Sequence, residues 1–298
     1  MHDRLFDQYD LAGLELPNRL VMAPLTRMRA SADGVMGEMN ADYYAQRASA
    51  GLIVAEGAFP HHSGKSYPGQ PGLETPAQID GWRGVTDAVH SAGGRIFVQV
   101  MHGGRISHER IIPGGLQPVA PSAVRPEGLA RIEGEKLPLP VPRAIGEDEI
   151  AEVQEHFVGI RISPAQNVND ISETDALATY PLLLAQLAPL GLAYVHVMES
   201  PPDTGWSAVD LVREHWDGTL IVNSNFPVDW PPDVAERVIA EDRGDLYCYG
   251  RRFISNPDLV ERIRTGAPIA EADMRTFYGG GREGYTDYPT LAESGSGA

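Results

Sequence analysis

Seven short runs of apolar and β-branched residues recur along the 298-residue chain, and their order constrains the fold more than any other feature. They cover residues 19–24, 51–56, 95–101, 160–163, 193–198, 219–222 and 245–249. Nearly continuous apolar runs of this length suit strands buried on both faces, the arrangement of a parallel sheet covered by helices. Amphipathic stretches at 76–91, 146–158, 174–188 and 231–240 lie between them, so the pattern is βα repeated. A dinucleotide-binding Rossmann domain needs G-x-G-x-x-G between its first strand and first helix. Here the first run ends in Ala23-Pro24-Leu25-Thr26-Arg27 and no such motif follows. A (β/α)₈-type barrel fits better, and in that fold the chemistry gathers at the C-terminal ends of the strands. Proline and glycine, 24 and 32 residues, are spread throughout and mark no hinge, so residues 1–290 read as one domain. Residues 291–298 are small and polar and read as a disordered tail.

Charge and cysteine content narrow the function. With 24 basic against 41 acidic side chains the formal net charge is −17, which repels polyanions and removes nucleic acid as a partner. The single cysteine, Cys248, excludes an internal disulfide framework and a Cys-based zinc site. The first residues do not resemble a signal peptide, and no apolar run approaches the ~20 residues that span a bilayer, so a cytoplasmic protein without membrane association is expected. The only lysines, Lys65 and Lys136, fall in loop-like stretches, which argues against Schiff-base chemistry. The adjacent His61 and His62 lack ligand spacing, so no metal site is expected.

The strand ends present Thr26 and Arg27, then Glu56-Gly57, Gln99 to His102, Arg161, His196 with Glu199, Asn223-Ser224-Asn225 and Gly250-Arg251-Arg252. An amide, a hydroxyl and two arginines at one mouth suit a flat, hydrogen-bonding ligand that carries phosphate, because the fixed fork of arginine donors matches phosphate or an anionic ring edge.

These residues, in this order, resemble the Old Yellow Enzyme family of FMN-dependent ene-reductases. The matching strings are Pro17-Asn18-Arg19 through Thr26-Arg27, Tyr43-Tyr44-Ala45-Gln46-Arg47-Ala48, Gln99 to His102, Pro118-Val119-Ala120-Pro121-Ser122, Arg161-Ile162-Ser163-Pro164, Gly250-Arg251 with Asn256-Pro257-Asp258-Leu259, and Phe277-Tyr278 through Pro289. The resemblance covers nearly the whole chain. It implies an FMN-binding (β/α)₈ barrel that takes hydride from NADPH or NADH and passes it to activated alkenes, nitro compounds or quinones. It also implies that Thr26 bonds the flavin C4 carbonyl, that Gly57 lets the backbone approach the ring and that Gln99 bonds the pyrimidine edge. Arg161 would lie beside N1 and O2, where a fixed cation stabilises the reduced, anionic flavin. Gly250 and Arg251 would hold the phosphate, with Ser224 and Asn225 in the adjoining turn, and Met101 and Tyr278 would wall the substrate pocket.

Three departures stand beside the resemblance. In the family a strand ending in a His-x-x-Asn or His-x-x-His pair, with a nearby proton-donating tyrosine, precedes the strand that carries the counterpart of Arg161. In this chain Gly159 follows the preceding helical stretch at once, so the fourth strand and its following helix are expected to be missing. His102, His156 and His196 sit elsewhere and read as structural. Ser224 replaces a family glycine, and Met101 replaces an aromatic. A sheet lacking one strand must reclose with seven strands or leave an open edge. The sequence therefore supports either an impaired flavin oxidoreductase or a non-enzymatic remnant with weak or no flavin binding.

Overall fold

The computed structural model describes residues 3–146 and 158–294. All seven apolar runs form strands: β1 (Leu20–Met22), β2 (Leu52–Ala58), β3 (Ile96–Val100), β4 (Gly159–Ile162), β5 (Tyr194–Met198), β6 (Leu220–Asn223) and β7 (Leu246–Tyr249). They make one parallel, curled sheet in the order β4-β5-β6-β7-β1-β2-β3. Side chains alternate between its faces, as the two-residue period of a strand requires. Val21, Leu52, Val54, Tyr194, Ile221, Leu246 and Cys248 form an inner cluster, into which the N-terminal hairpin Tyr9–Leu11/Leu14–Leu16 inserts Leu11 and Leu16. The alternate residues, among them Leu20, Ile53, Val195, Val197, Leu220, Val222 and Tyr247, pack outward against the helices.

Helix α1 (Glu38–Ala45) is followed by α2 (Pro76–Ser91), whose start is written in the sequence. The Thr75 hydroxyl accepts from the Gln78 N–H, the Gln78 side chain accepts from the Thr75 N–H, and Pro76 fills the first turn, where no N–H is needed. Helices α3 (Ala176–Leu187), α4 (Ala208–His215), α5 (Pro232–Ala240), α6 (Arg251–Ser255) and α7 (Leu259–Thr265) follow. The stretches expected at 174–188 and 231–240 correspond to α3 and α5, and the stretch expected at 146–158 lies almost wholly outside the described residues.

β2, β6 and β7 are buried at every position, whereas β3 is half-buried throughout and β4 is half-buried at three of its four positions. These two strands are the edges of the sheet, and among the described residues no strand lies between them. After β3 the chain makes a separate excursion, in which Leu129–Ile132 pairs antiparallel with Glu135–Pro138 and Val119–Ala120 pairs with Arg143–Ala144. The expectation that order ends at residue 290 is corrected in part. Leu291–Ser294 forms a helical turn, with the Leu291 N–H donating to the Asp258 carboxylate at 2.6 Å; residues 295–298 lie outside the description. Among the described residues no helix is long and apolar enough to cross a membrane.

Candidate active site

The end of β1 is held by a buried carboxylate. Glu56 on β2 accepts from the N–H groups of Arg27 and Met28 at 3.1 and 3.2 Å and from the Tyr44 hydroxyl at 3.2 Å, which fixes the backbone just after Thr26. Burial pushes the pKa of this carboxyl up against those bonds. Arg27 then ties in the C-terminal segment, donating to the carbonyls of Phe277 and Gly284 at 2.9 and 2.8 Å and to the Tyr43 hydroxyl at 2.8 Å. This clamp brings Tyr278 to the strand ends.

Two cavities meet there. One of about 230 Å³ is lined by Thr26, Arg161, Ser224, Asn225, Gly250, Arg251 and Tyr278, so seven of the ten expected site residues converge. The other, about 650 Å³, lies between the edge strands and is lined by Gln99, Phe97, Arg161, Tyr194, His196 and Trp82. Arg161 faces both. Gly57 and Met101 line neither. A Cβ placed on Gly57 would come within 2.9 Å of the Met101 side chain, so the missing side chain makes room for Met101.

Arg161 is the polar centre. Among the described residues its Nε is buried without a partner, and its Nη2 reaches only the Asn223 Oδ1 at 3.4 Å. Burial lowers the pKa of the guanidinium. The Thr26 hydroxyl and the Gln99 amide make no hydrogen bond to another described residue. A hydroxyl, an amide and an unsatisfied guanidinium at the rim fit the hydrogen-bonding edge of a flavin, and the guanidinium fits its anionic reduced form.

Paired with Arg161 across the β4–β5 ladder is His196, whose Nε2 is also buried without a partner. Burial, and secondarily Arg161, hold its pKa well below 6.5, so the folded chain keeps it neutral while the unfolded chain protonates it as pH falls. Its contribution to stability is intact above about pH 6.5 and declines below it, by up to about 1.4 kcal/mol per pH unit. Denaturant unfolding between pH 7.5 and 5 should show this slope, and His196→Gln should flatten it. An unchanged slope in the variant would refute the assignment.

The end of the cavity where the resemblance expects phosphate is more occupied than the sequence suggests. Arg251 donates from Nη1 to the Pro227 carbonyl at 2.9 Å and lies over the Phe226 ring at 4.8 Å. The Ser224 hydroxyl donates to the Val228 carbonyl.

Sequence reasoning missed two clusters. Adjacent histidines lacked ligand spacing in sequence, but the loop after β2 turns both imidazoles toward Glu74, with His62 Nδ1 at 2.7 Å and His61 Nε2 at 3.9 Å from its carboxylate. Glu74 lies twelve residues beyond His62 on a separate turn, so spacing alone could not reveal it. The other cluster is the set of Arg27, Arg29 and Arg47 around Tyr43 and Tyr285. Its partners are mostly backbone carbonyls, which leave no trace in the sequence.

A curled parallel sheet wrapped by helices, with an unsatisfied cation among amide and hydroxyl groups at its C-terminal rim, defines a barrel-type flavin oxidoreductase. The chain belongs to the NADH:flavin oxidoreductase / NADH oxidase family, whose profile matches residues 4–158 and 141–269. It is 30% identical to a probable flavin mononucleotide-dependent alkene reductase of Leishmania infantum, over 94% of this chain and 96% of that protein. Among solved structures, morphinone reductase in complex with tetrahydroNAD is 34% identical, with a TM-score of 0.87 over 96% of this chain and 97% of that one. An old yellow enzyme homologue from Zymomonas mobilis is 29% identical, with a TM-score of 0.89 over 96% and 99%.

Proposed function

We propose that the chain is a single FMN-binding domain over residues 1–290 that oxidises NADPH or NADH and passes the electrons to quinones or oxygen more readily than to activated alkenes or nitro compounds. The observation that carries this reading is the buried, partnerless Nε of Arg161, placed where Thr26 and Gln99 also present free polar groups. Bound FMN would supply the acceptor for the nicotinamide hydride and the donor to the second substrate. Thr26 and Gln99 would orient it by hydrogen bonds, Arg161 would offset the charge it gains on reduction, and Gly250, Arg251, Ser224 and Asn225 would face its phosphate. Tyr278, at the open side of the cavity, would shape the space for the second substrate.

The weakness toward alkenes rests on an internal deletion before Arg161. Three observations support it. The edge strands β3 and β4 are half-buried where the other strands are buried, and the larger cavity lies between them. The two stretches matched by the family profile meet over residues 141–158, immediately before Arg161. The alignment with the Leishmania reductase runs over 356 positions, more than this chain has residues, so it opens gaps in this chain. Donors that polarise a substrate oxygen are worth about 10²–10³ each in kcat, and a strand that carries two of them is costly to lose.

The test is spectroscopic. The purified protein should take up FMN, bleach on anaerobic addition of NADPH, and recover with oxygen or a quinone at least about 10²-fold faster than with cyclohexenone. Faster turnover with cyclohexenone would overturn the impairment. The second reading, a non-enzymatic remnant, requires that no flavin be retained after reconstitution.

A further inference from the structure

We propose that His61, His62 and Glu74 form a binding site for one divalent transition-metal ion of the zinc type, which staples the loop after β2 to the start of α2. None of the three lines either cavity of the flavin reading, so the inference stands independently of that reading.

The three side chains bring one ligand atom each to within 4.8 Å of the others, and they are the one such group of His, Cys, Asp or Glu among the described residues. Glu74 Oε1 lies 2.7 Å from His62 Nδ1 and 3.9 Å from His61 Nε2, and the two imidazole centroids are 3.9 Å apart. Zinc bonds of about 2.0–2.2 Å place tetrahedral ligand atoms ~3.3 Å apart, between the two observed separations, so movements of ~0.6 Å at each admit an ion. The side chains are 32, 35 and 30% exposed, which leaves room for water to complete the coordination. Two imidazoles and one carboxylate suit zinc, nickel or copper, whereas magnesium and calcium take oxygen ligands. An exposed His–Glu ion pair is worth little by itself and needs one histidine rather than two.

The backbone holds the donors in place. The Phe59 N–H donates to the Pro71 carbonyl at 3.0 Å and the Leu73 N–H to the Phe59 carbonyl at 2.9 Å, which joins the two stems of the loop next to the ligands. His61 enters a tight turn in which its carbonyl accepts from the Gly64 N–H at 2.9 Å, and the Glu74 N–H donates to the Gln78 Oε1 at 2.9 Å at the start of α2. Behind His61, Ser63 Oγ lies 2.8 Å from Nδ1 and 3.1 Å from His102 Nε2, and His102 Nδ1 accepts from the Gly104 N–H at 3.0 Å. Such supports orient a ligating histidine through its second nitrogen. The Ser63 N–H also reaches His61 Nδ1 at 3.4 Å, so coordination through Nε2 moves the ring proton to Nδ1, where the Ser63 hydroxyl turns from donor to acceptor. At His62 the proton passes from Nδ1 to Nε2, and Glu74 exchanges a hydrogen bond for a metal bond. The ion would thereby fix the loop against the end of β3, where the Gly103 N–H donates to the Gly64 carbonyl at 3.0 Å.

The probe is zinc, added to the tag-free, full-length chain after treatment with EDTA and followed by competition with a chromogenic chelator. The native chain should take up one equivalent, and zinc at ~100 times its Kd should raise the melting temperature by about 5–10 °C. His61→Asn, His62→Asn and Glu74→Gln should each weaken binding at least about tenfold, the loss seen even for an outer-shell partner. His90→Asn, at an exposed position near the end of α2, should match the native chain. In the native chain zinc should also slow amide exchange over residues 59–74, a measurement that stands whether or not a variant folds. The proposal is overturned by failure to bind zinc, by affinities within about threefold of native in the three variants, by slowed exchange confined to other segments, or by displacement of zinc with equimolar magnesium.

Discussion

Arg161→Met is expected to leave the flavin-free protein at least as stable as the native chain and to weaken flavin binding by about 10²-fold. The two effects have opposite signs because they draw on the same defect. A guanidinium whose Nε is buried without a partner among the described residues, and whose one side-chain hydrogen bond there is 3.4 Å long, carries a desolvation cost that the apoprotein does not recover. Replacing buried charged groups with apolar side chains of similar volume is often neutral or stabilising, by about 1–4 kcal/mol. Once a flavin fills the cavity, the same guanidinium gains acceptors. Hydrogen bonds to charged groups are worth about 1.5–3 kcal/mol each, so losing one or two of them accounts for about a 10²-fold loss of affinity. Urea unfolding of the apoprotein and fluorescence titration with riboflavin read the two effects separately. A variant that is destabilised as apoprotein yet keeps its flavin affinity would show that Arg161 is a structural residue only.

Arg47→Met should be the opposite case, a loss of about 3–5 kcal/mol in unfolding free energy with no binding site involved. Arg47 is fully buried and reaches four carbonyls: Phe253 from Nε at 2.8 Å, Tyr43 from Nη1 at 2.7 Å, and Ile254 and Tyr285 from Nη2 at 2.8 and 3.3 Å. Its guanidinium also stacks 3.8 Å from the Tyr43 ring, which itself stacks on Tyr285 at 4.0 Å. Methionine can fill the volume of the stem but supplies no donor, and each buried carbonyl left unsatisfied costs about 1–3 kcal/mol. Lysine keeps the charge without the planar fork, so Arg47→Lys should fall between the two. At about 2–4 °C per kcal/mol for larger domains, the methionine variant should melt roughly 10 °C lower. A shift below about 2 °C would mean that the C-terminal segment does not depend on this clamp.

The fold was legible where burial alone decided structure. The seven strands are continuous apolar runs, and α2 announces itself through Thr75, Pro76 and Gln78. Helix α1 was not, because its buried face consists of Asn40, Tyr43 and Tyr44, chosen for hydrogen bonds and ring contacts, so no apolar stripe marks it. The hairpin Leu129–Ile132/Glu135–Pro138 was also missed, since it packs only a small cluster around Ala130, Ile132 and Leu139. In the site, Thr26, Arg161, Gly250, Arg251 and Tyr278 could be placed from strand-end position and from their likeness to a known set. What the sequence could not convey is occupancy. Nothing in the string Asn-Ser-Asn-Phe-Pro-Val says that the Pro227 carbonyl would engage Arg251, or that the Val228 carbonyl would engage Ser224.

A closed ring of strands has no first strand to peel. In this sheet β3 and β4 are each bonded to a neighbour on one side only among the described residues, so unzipping can start at either end without disturbing the core around β6, β7 and β1. Gln99 lies on one of these terminal strands and Arg161 on the other. Heat or denaturant would therefore separate the two halves of the ligand cradle while most of the hydrophobic interior is still intact. In native-state amide exchange, these two strands should be the first to lose protection, and a ligand bound across Gln99 and Arg161 would hold them together.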